Sequence, residues 1–397
     1  MTAHSTGPLA GVRVLDLTSV IMGPYATQIL GDLGADVISV EDAKGDANRT
    51  MGPGPGPGMS GVSINLLRNK RNVSLDLKDP AGREAFLRIV ASCDVLVTNL
   101  RPGPLSRLRL TYDDVRAVRP DIVMCQAAGW PSDSADADKP AYDDVVQAAC
   151  GIAAAFELQH GEPQLAPTIV ADKVSGLTIV YSVLAALLHR ERTGEGQRLE
   201  VPMIDVMTSF TLVEHGSAAI PEPPLGRAGY GRITTKDRRP YPTADGWIAV
   251  LPYSASNFDD LYREGGREDL VGDPRSQTAR SRNVHAAELY AALAPLLATR
   301  TTAFWVDYCE AHDIPAAAVR SMDDIVGELP VVEHPRHGTY RLVPPPVRFG
   351  ATPSEVRRHA PQVGEHGREV LAEVGLAADE IERLVSSGVL RHADEPS

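Results

Sequence analysis

The first 130 residues alternate between short apolar segments and segments with helical spacing, and this alternation restricts the fold more than any other feature. Residues 12–17 and 36–40 have the composition of buried strands, and residues 23–33 between them have that of a helix. Strand-like segments follow at 73–77, 94–99 and 122–126, with a helix predicted at 80–92. Alternating strands and helices favour a parallel sheet covered by helices, so we predict an α/β fold.

The rest of the chain divides where the composition changes. Residues 45–61 contain the run GPGPGPG, which can sustain neither helix nor strand, and a loop of this length is either disordered or functional. Enrichment in Pro, Gly and Arg from 221 to 242 indicates a linker. A smaller segment follows, which begins with a predicted hairpin at 242–251 and continues with predicted helices at 256–264 and 286–297. A last helical region is predicted at 364–385.

The charge and cysteine content restrict the partners. The chain has 39 Lys and Arg against 52 Asp and Glu, a formal charge of -13. Nucleic acid is therefore not an expected partner, because binding phosphates requires clustered cations. No uninterrupted apolar run approaches the ~20 residues of a membrane helix, so we expect no membrane segment and a cytoplasmic protein. The 4 cysteines are far apart, which indicates neither a disulfide framework nor a zinc site.

The strongest predicted helix runs from about Asp172 to Arg192, and its apolar residues cover most of its circumference, so we predict that it is deeply buried. Asp172 stands at its start. A structural role would be that of an N-cap, whose carboxylate accepts hydrogen bonds from unpaired backbone N–H groups. A catalytic role uses the same position, because the helix dipole favours an ionised carboxylate and an ionised carboxylate can attack a thioester carbonyl.

Basic side chains cluster in two sets. Arg68, Lys70 and Arg71 form the densest short basic cluster of this acidic chain. They indicate either a solvated loop or a contact to the phosphates of a nucleotide-like ligand. The second set lies near the ends of predicted strands, where open α/β sheets bind ligands, and consists of Lys78, Arg101 and Arg107.

Three common kinds of site are not supported. The first strand–helix turn reads SVIMGP, with one glycine where a nicotinamide-binding fold has GxGxxG. No GxSxG nucleophile elbow is present. His160, His189 and His215 have no partners at metal-ligand spacing, so metal catalysis is not expected.

Several stretches, in this order, resemble the class III CoA-transferase family. It is also called the CaiB/BaiF type, includes formyl-CoA and carnitine-CoA transferases, and is related to α-methylacyl-CoA racemase. The stretches are GPLAGVRVLDLTSVIMGPYATQILGDLGADVISVE, RNKRNVSLDLKDPAG, VTNLRPGPLSRL, AYDDVVQAACGI, ADKVSG, PYPTADGWIAV and PQVGEHGREVLAEVGL. The resemblance runs nearly from end to end.

The resemblance implies a site and a reaction. The family nucleophile is an Asp in a D-x-x-x-G sequence, which here is Asp172 with Gly176. It implies acyl-CoA and a carboxylic acid acceptor as substrates, no tightly bound cofactor, and aspartyl anhydride and aspartyl-CoA thioester intermediates. The implied coenzyme A contacts are Ile21, Met22, Arg71, Leu75, Lys78, Asn99, Leu100, Arg107, Tyr142 and Asp143.

The family also implies an architecture. It predicts a Rossmann-like large domain at 1–215, completed by 331–397, a smaller α+β domain at 216–330, and an interlocked homodimer.

Two alternatives remain open. The racemase branch uses a His and Asp pair, with the His in a GHD-type motif, whereas the aligned stretch here is PAYDDV. Proton transfer at an α-carbon would lack its imidazole, so a transferase is favoured over a racemase. An acyl-CoA-binding protein without turnover is the other alternative, and Asp172 argues against it.

Overall fold

A computed structural model describes residues 6–392. Its strands are β1 (Arg13–Leu17), β2 (Asp36–Glu41), β3 (Lys70–Leu75), β4 (Val95–Thr98), β5 (Val123–Ala128), β6 (Arg198–Pro202), β7 (Tyr241–Pro242), β8 (Trp247–Val250), β9 (Ala316–Ala318), β10 (Val331–His334), β11 (Gly338–Arg341) and β12 (Leu390–Arg391).

The α-helices, in chain order, are α1 (Met22–Asp32), α2 (Gly61–Leu66), α3 (Pro80–Ala91), α4 (Pro102–Arg107), α5 (Tyr112–Val118), α6 (Asp143–Ala149), α7 (Ile152–His160), α8 (Val170–Thr193), α9 (Met203–His215), α10 (Gly231–Thr234), α11 (Ala255–Glu264), α12 (Ala279–Val284), α13 (Ala286–Leu297), α14 (Thr302–Ala311), α15 (Met322–Gly327), α16 (Gly367–Glu373) and α17 (Ala378–Ser386). Short 3-10 turns occupy Ala47–Thr50, Ser217–Ala219 and Glu268–Leu270.

Strands β1 to β6 form the parallel sheet that the alternating pattern predicts. The order of the seven-stranded sheet is β12-β3-β2-β1-β4-β5-β6, with β12 antiparallel to β3 at one edge. The strand order reverses between β1 and β4, as in doubly wound nucleotide-binding folds, and ligands of such folds bind beyond the carboxyl ends of the strands at this point. The mixed α/β fold with a large parallel sheet is therefore confirmed.

Strand β3 begins at Lys70, three residues before the predicted start at 73, because buried polar contacts stabilise its first half. The Lys70 ammonium is fully buried and lies 2.9 Å from a carboxylate oxygen of Asp16. It also donates to the Pro24 carbonyl and to the Thr27 hydroxyl, at 3.0 and 2.8 Å. All three ammonium donors thus have partners, and this contact joins β1, β3 and α1.

Helices cover both faces of the sheet. Leu15, Ile38, Val73 and Leu96 are fully or almost fully buried in one apolar core with residues of α3, α5, α16 and α17. Asp16 points to the opposite face, where it accepts a hydrogen bond from Thr27 of α1. Helix α8 packs against α1 on this side.

Helix α8 is less buried than predicted. Leu177, Tyr181 and Leu188 are 48%, 62% and 51% exposed, so the prediction of a deeply buried helix is wrong for the single chain. The reason is that only the side facing α1 and the sheet is covered. Among residues 6–392, α8 is also the one helix long and apolar enough to cross a membrane, and 44% of its most apolar window is buried. A core helix of a globular protein has the same properties, so this feature alone does not indicate a membrane span.

The chain divides into two compact units. Unit 1 contains the residues up to Cys150, Pro167–Thr208 and those from Leu329 onward, and unit 2 contains Gly151–Ala166 and Ser209–Glu328. The predicted domain boundaries at 215 and 330 stay a prediction. They differ from this division mainly at 151–166, which contacts place in unit 2. Residues 1–5 and 393–397 of the predicted large domain lie outside the described residues.

Unit 2 has its own core. Its three-stranded antiparallel sheet has the order β7-β8-β9, and the predicted hairpin at 242–251 corresponds to the pair β7 and β8. Phe258, Leu293 and Trp305, from α11, α13 and α14, are almost completely buried against it.

Candidate functional site

A cleft of about 570 Å³ lies at the carboxyl ends of β1, β2, β3 and β4 in unit 1. It is lined by residues 17–19, 40–47, 75–78 and 99–100, with Leu108 and Gly388. This is the position at which a doubly wound sheet binds nucleotides.

The cleft brings together four of the predicted coenzyme A contacts. Leu75 and Lys78 line it after β3, and Asn99 and Leu100 line it after β4. Lys78 is exposed, so its ammonium is available to an anionic ligand. Asn99 also has a structural task, because its amide oxygen accepts from Ser19 N at 3.0 Å and its amide nitrogen donates to Ser19 O at 2.8 Å.

Two predicted cationic contacts lie elsewhere. Arg71 is buried at the start of β3, and its guanidinium pairs with Asp36, Glu369 and Glu373 at 2.7, 3.2 and 2.8 Å. Burial lowers the pKa of Arg71, but the carboxylates of Asp36 and Glu373 outweigh it, so that the pKa is raised. Arg71 therefore joins β2, β3 and α16, and the structure does not bring it to the cleft. Arg107 is exposed at the end of α4, next to the cleft residue Leu108.

Asp172 lies in the first turn of α8, but it is not the N-cap that the sequence indicated. The helix begins at Val170, the N-cap position is Ile169, and Asp172 is the third helical residue. The capping acceptor is Asp143 of α6, whose Oδ1 accepts from Ala171 N and Asp172 N at 2.6 and 3.2 Å. The Asp172 carboxylate is therefore not needed to satisfy the helix end.

Asp143 is a predicted coenzyme A contact whose carboxylate is already engaged. It is 8% exposed, and its other oxygen accepts from Gln147 Nε2 at 2.5 Å. Its neighbour Tyr142 is the N-cap of α6 and is 65% exposed. Asp143 thus anchors the start of α8, whereas Tyr142 stays open to a ligand.

The electrostatics of Asp172 differ from the expectation based on the helix dipole alone. Burial raises the pKa of the Asp172 carboxyl to about 6, and the nearby negative charge of Asp143 adds to this rise. The group is still mainly ionised at neutral pH. A carboxylate with a raised pKa is more basic than an ordinary aspartate, and this favours nucleophilic attack.

Gly176 brings α8 against the start of α1. A methyl group at this position would lie 2.9 Å from the Met22 carbonyl oxygen and 3.0 Å from the Tyr25 ring, so only glycine permits the contact. Asp172 lies one helical turn earlier on the same face of α8. The D-x-x-x-G spacing therefore places the carboxylate near the β1–α1 turn, which contains the predicted contacts Ile21 and Met22.

Ile21 and Met22 are themselves 6% and 4% exposed. Ile21 lines a second, mostly apolar cavity of about 720 Å³, together with Tyr25, Lys173 and Leu177. Lys173 is the next residue of α8 after Asp172, whereas Asp172 itself lines neither cavity. Met22 contributes backbone to the helix start and lines neither cavity.

Within residues 6–392, no group of three or more His, Cys, Asp or Glu side chains could hold a metal ion. The site consists of a carboxylate nucleophile candidate, a helix start and an open cleft at the sheet end.

The sequence interpretation missed the side chains that shape the β1–α1 turn. Asp16 accepts from Thr18 N at 3.1 Å, and Asp46 accepts from Val20 N at 3.1 Å. The sequence around Asp16 did not indicate this role, since a polar residue inside a predicted strand has many explanations. Asp46 follows a glycine and precedes a short turn that it caps, which is a weak N-cap signal.

Comparisons with known proteins identify the family of this chain. The profile of CoA-transferase family III matches residues 9–367. The succinyl-CoA:glutarate CoA-transferase of Mus musculus is 30% identical and aligns over 97% of this chain and 91% of its own. The formyl-CoA:oxalate CoA-transferase of Escherichia coli O157:H7 is also 30% identical, over 94% of this chain and 97% of its own. The crystal structure of a CAIB/BAIF family protein from Brucella suis superposes with a TM-score of 0.79 at 26% identity, over 93% and 99% of the two chains.

Proposed function

This chain belongs to CoA-transferase family III, and from that membership we propose that Asp172 transfers coenzyme A between carboxylic acids by forming covalent intermediates. The enzyme class and the use of CoA thioesters follow from the family and from the named transferases among its relatives. The role of Asp172 and the identity of the intermediates are our proposal.

The proposed reaction has four steps. The Asp172 carboxylate attacks the thioester carbonyl of the donor, which gives an aspartyl acyl anhydride and expels the CoA thiolate. The thiolate attacks the aspartyl carbonyl, releases the donor acid and leaves an aspartyl-CoA thioester. The acceptor carboxylate attacks this thioester to form a second anhydride and thiolate. The thiolate then attacks the acceptor acyl carbon, which gives the new acyl-CoA and regenerates the Asp172 carboxylate.

The observation that carries the proposal is that the Asp172 carboxylate lies in the first turn of a helix but does not cap it. Asp143 satisfies the first amides of α8, so the Asp172 oxygens remain available for attack. The half-buried position and the raised pKa make this carboxylate more nucleophilic than an exposed one. Each step exchanges one activated acyl group for another, so positioning and charge stabilisation provide the catalysis.

We propose that the cleft at the carboxyl ends of β1 to β4 holds coenzyme A. Leu75 and Leu100 supply apolar walls, Lys78 is an exposed cation in its lining, and the exposed Arg107 is the chain neighbour of the lining residue Leu108. The relatives named above act on succinyl, glutaryl, formyl or oxalyl groups according to their names. A short acyl group that carries a second carboxylate is thus the first class of substrate to test.

Intact-protein mass spectrometry tests the proposal. Wild type and Asp172→Asn are incubated with succinyl-CoA, formyl-CoA and other acyl-CoAs, with and without hydroxylamine. We expect a CoA or acyl adduct that hydroxylamine removes on the wild type, and none on the variant. An adduct on both proteins would assign the nucleophile elsewhere. Absence of any adduct, with deuterium exchange at the α-carbon of a branched acyl-CoA, would instead support a racemase.

We further propose an interlocked homodimer. The exposed residues Leu177, Tyr181 and Leu188 share one face of α8, and an apolar patch of this kind on a globular protein marks a contact surface. A second copy of the chain is the occupant that the family architecture predicts. The buried cysteines Cys93, Cys125 and Cys309 form no disulfide in the described part of the chain, which is consistent with the proposed cytoplasmic location.

The α8 surface gives a prediction about mass in solution. Light scattering of the wild type should give twice the chain mass of 42.5 kDa, and Tyr181→Asp should shift the population toward the single chain, because a carboxylate would be buried in the interface. Val118→Asp, an equivalent change at a 39% exposed position of α5, should leave the mass unchanged. A wild type that elutes as a single chain would contradict the dimer.

A further inference from the structure

Val20, in the turn between β1 and α1, has a backbone conformation that its side chain disfavours. Its φ angle is 69°, in the left-handed region. A β-branched residue in this region is a true outlier, and such residues persist only where the surrounding structure holds them. Val20 directly precedes Ile21 and Met22, so its conformation sets the direction in which α1 begins.

The loop after β2 holds both sides of Val20. The Asp46 carboxylate accepts from Val20 N, with its two oxygens at 3.2 and 3.1 Å. The Asn48 side chain donates to Val20 O at 3.3 Å. No other acceptor for Val20 N is recorded in the described part of the chain, so Asp46 is the group that holds this strained peptide.

Asp46 is itself firmly placed. Its backbone N donates to Glu41 Oε2 at 2.7 Å, and its Oδ1 accepts from Asn48 N at 2.7 Å. Glu41 is fixed in turn by Arg49, at 2.7 Å. Burial raises the pKa of Asp46 to about 6, and the nearby Glu41 contributes, but the carboxyl remains mainly ionised at neutral pH. An ionised acceptor makes a stronger hydrogen bond to an amide than a neutral one.

The turn between β1 and α1 is therefore held by residues that follow β2 and β4, the two strands on either side of β1. Asn99, after β4, fixes both backbone groups of Ser19, and Asp46, after β2, fixes Val20. Both residues also line the cleft. A relaxed Val20 would return to a negative φ and redirect the peptides of Ile21 and Met22.

We infer that Asp46 is a positioning residue that holds Val20 in its left-handed conformation, and that this fixes the Ile21–Met22 backbone in the geometry that binds coenzyme A. The inference rests on the proposed function, since it takes coenzyme A as the ligand of the cleft that residues 17–19 line and the Ile21–Met22 backbone as one of its contacts. Asp46 acts through Val20 and need not touch the reacting atoms.

Asp46→Asn separates this role from turn capping. Asparagine keeps one oxygen, which can cap the 47–50 turn, but it loses the negative charge and places an NH2 group where one of the two oxygens that accept from Val20 N stood. We expect the dissociation constant for CoA, measured by calorimetry, to rise about tenfold, because a smaller fraction of the protein has the turn conformation that binds CoA. Amide hydrogen exchange of residues 18–24 should also become faster. Thr50→Ala, in the same short turn and away from Val20, should change neither quantity.

Val20→Gly provides the decisive comparison. Glycine adopts positive φ readily, so the turn no longer depends on the carboxylate. In the Val20→Gly background, Asp46→Asn should weaken CoA binding by less than about threefold. An equal loss of affinity in both backgrounds would mean that Asp46 acts by its charge or by stabilising the fold in general, and the inference would be wrong. The inference would also be wrong if Asp46→Asn weakened CoA binding in neither background.

A wild type that fails to bind CoA would overturn the proposed function instead. Hydrogen exchange of residues 18–24 would still test the restraint itself in that case. Unchanged exchange in Asp46→Asn would overturn the inference whatever the ligand.

Discussion

Asp172→Asn should lower the rate of CoA transfer by a factor on the order of 10⁴ or more, because the amide cannot form the anhydride on which every later step depends. The substitution preserves size and leaves the cap of α8 intact, since Asp143 supplies that cap. The loss should therefore fall on turnover, whereas CoA binding and thermal stability stay close to the wild type. A coupled assay with the donor identified by mass spectrometry measures the rate.

The nearby acidic residues provide matched controls. Asp144→Asn removes an exposed carboxylate from the first turn of α6, beside Asp143, and should leave the rate within about twofold. The wild-type rate should fall as the pH decreases through about 6, because protonation removes the nucleophile. Asp143→Asn removes the like charge and should move this fall to lower pH. A residual rate above one-tenth in Asp172→Asn would contradict the covalent mechanism.

Asp16→Ala should cost about 3–5 kcal/mol of unfolding free energy, because it leaves the Lys70 ammonium buried without its carboxylate. Lys70 is fully buried and Asp16 is 3% exposed, so water cannot replace the lost partner. Asp16 also accepts from the hydroxyls of Thr18 and Thr27, and both hydrogen bonds would be lost as well. Urea unfolding monitored by circular dichroism, with hydrogen exchange of β1 and α1, measures the effect.

A surface ion pair is the appropriate comparison. Glu84 and Arg88 lie 3.4 Å apart on α3 and are 63% and 58% exposed, so Glu84→Ala should cost less than about 1 kcal/mol. Combining Asp16→Ala with Lys70→Met should cost less than the sum of the two single changes, since it removes both buried charges. Strict additivity, or an Asp16→Ala cost below about 1 kcal/mol, would show that the pair contributes little.

The sequence predicted the parallel sheet well, because apolar periodicity controls burial. β1, β2 and β4 lie where that pattern placed them, with ends that differ by one residue. β3 was placed too late, because its first residues are Lys70, Arg71 and Asn72, and only carboxylates distant in the chain make their burial possible. Such long-range pairs leave no local signal.

The sequence indicated which residues could belong to the candidate site, but not which of them contact one another. Asp172 was assigned both a capping and a catalytic role, and the structure separates them by giving the cap to Asp143, 29 residues earlier. Arg71 was expected near phosphates as a member of the basic cluster with Arg68 and Lys70, yet three carboxylates surround it. The conformation of Val20 could not have been predicted, since valine disfavours positive φ and the contacts from Asp46 and Asn48 that hold it are distant in the chain.

Because unit 1 is discontinuous in the sequence, its last elements are synthesised only after unit 2. One face of the sheet is covered partly by α16 and α17, and its edge is completed by β12, all of which follow residue 366. A ribosome that has made β5 must still translate all of unit 2 before these elements appear, and this takes tens of seconds at roughly 5–20 residues per second. Apolar residues such as Leu15, Ile38 and Val73 therefore lack their final cover throughout that interval. The nascent chain should accordingly depend on chaperones that shield apolar surface until its last segment leaves the ribosome.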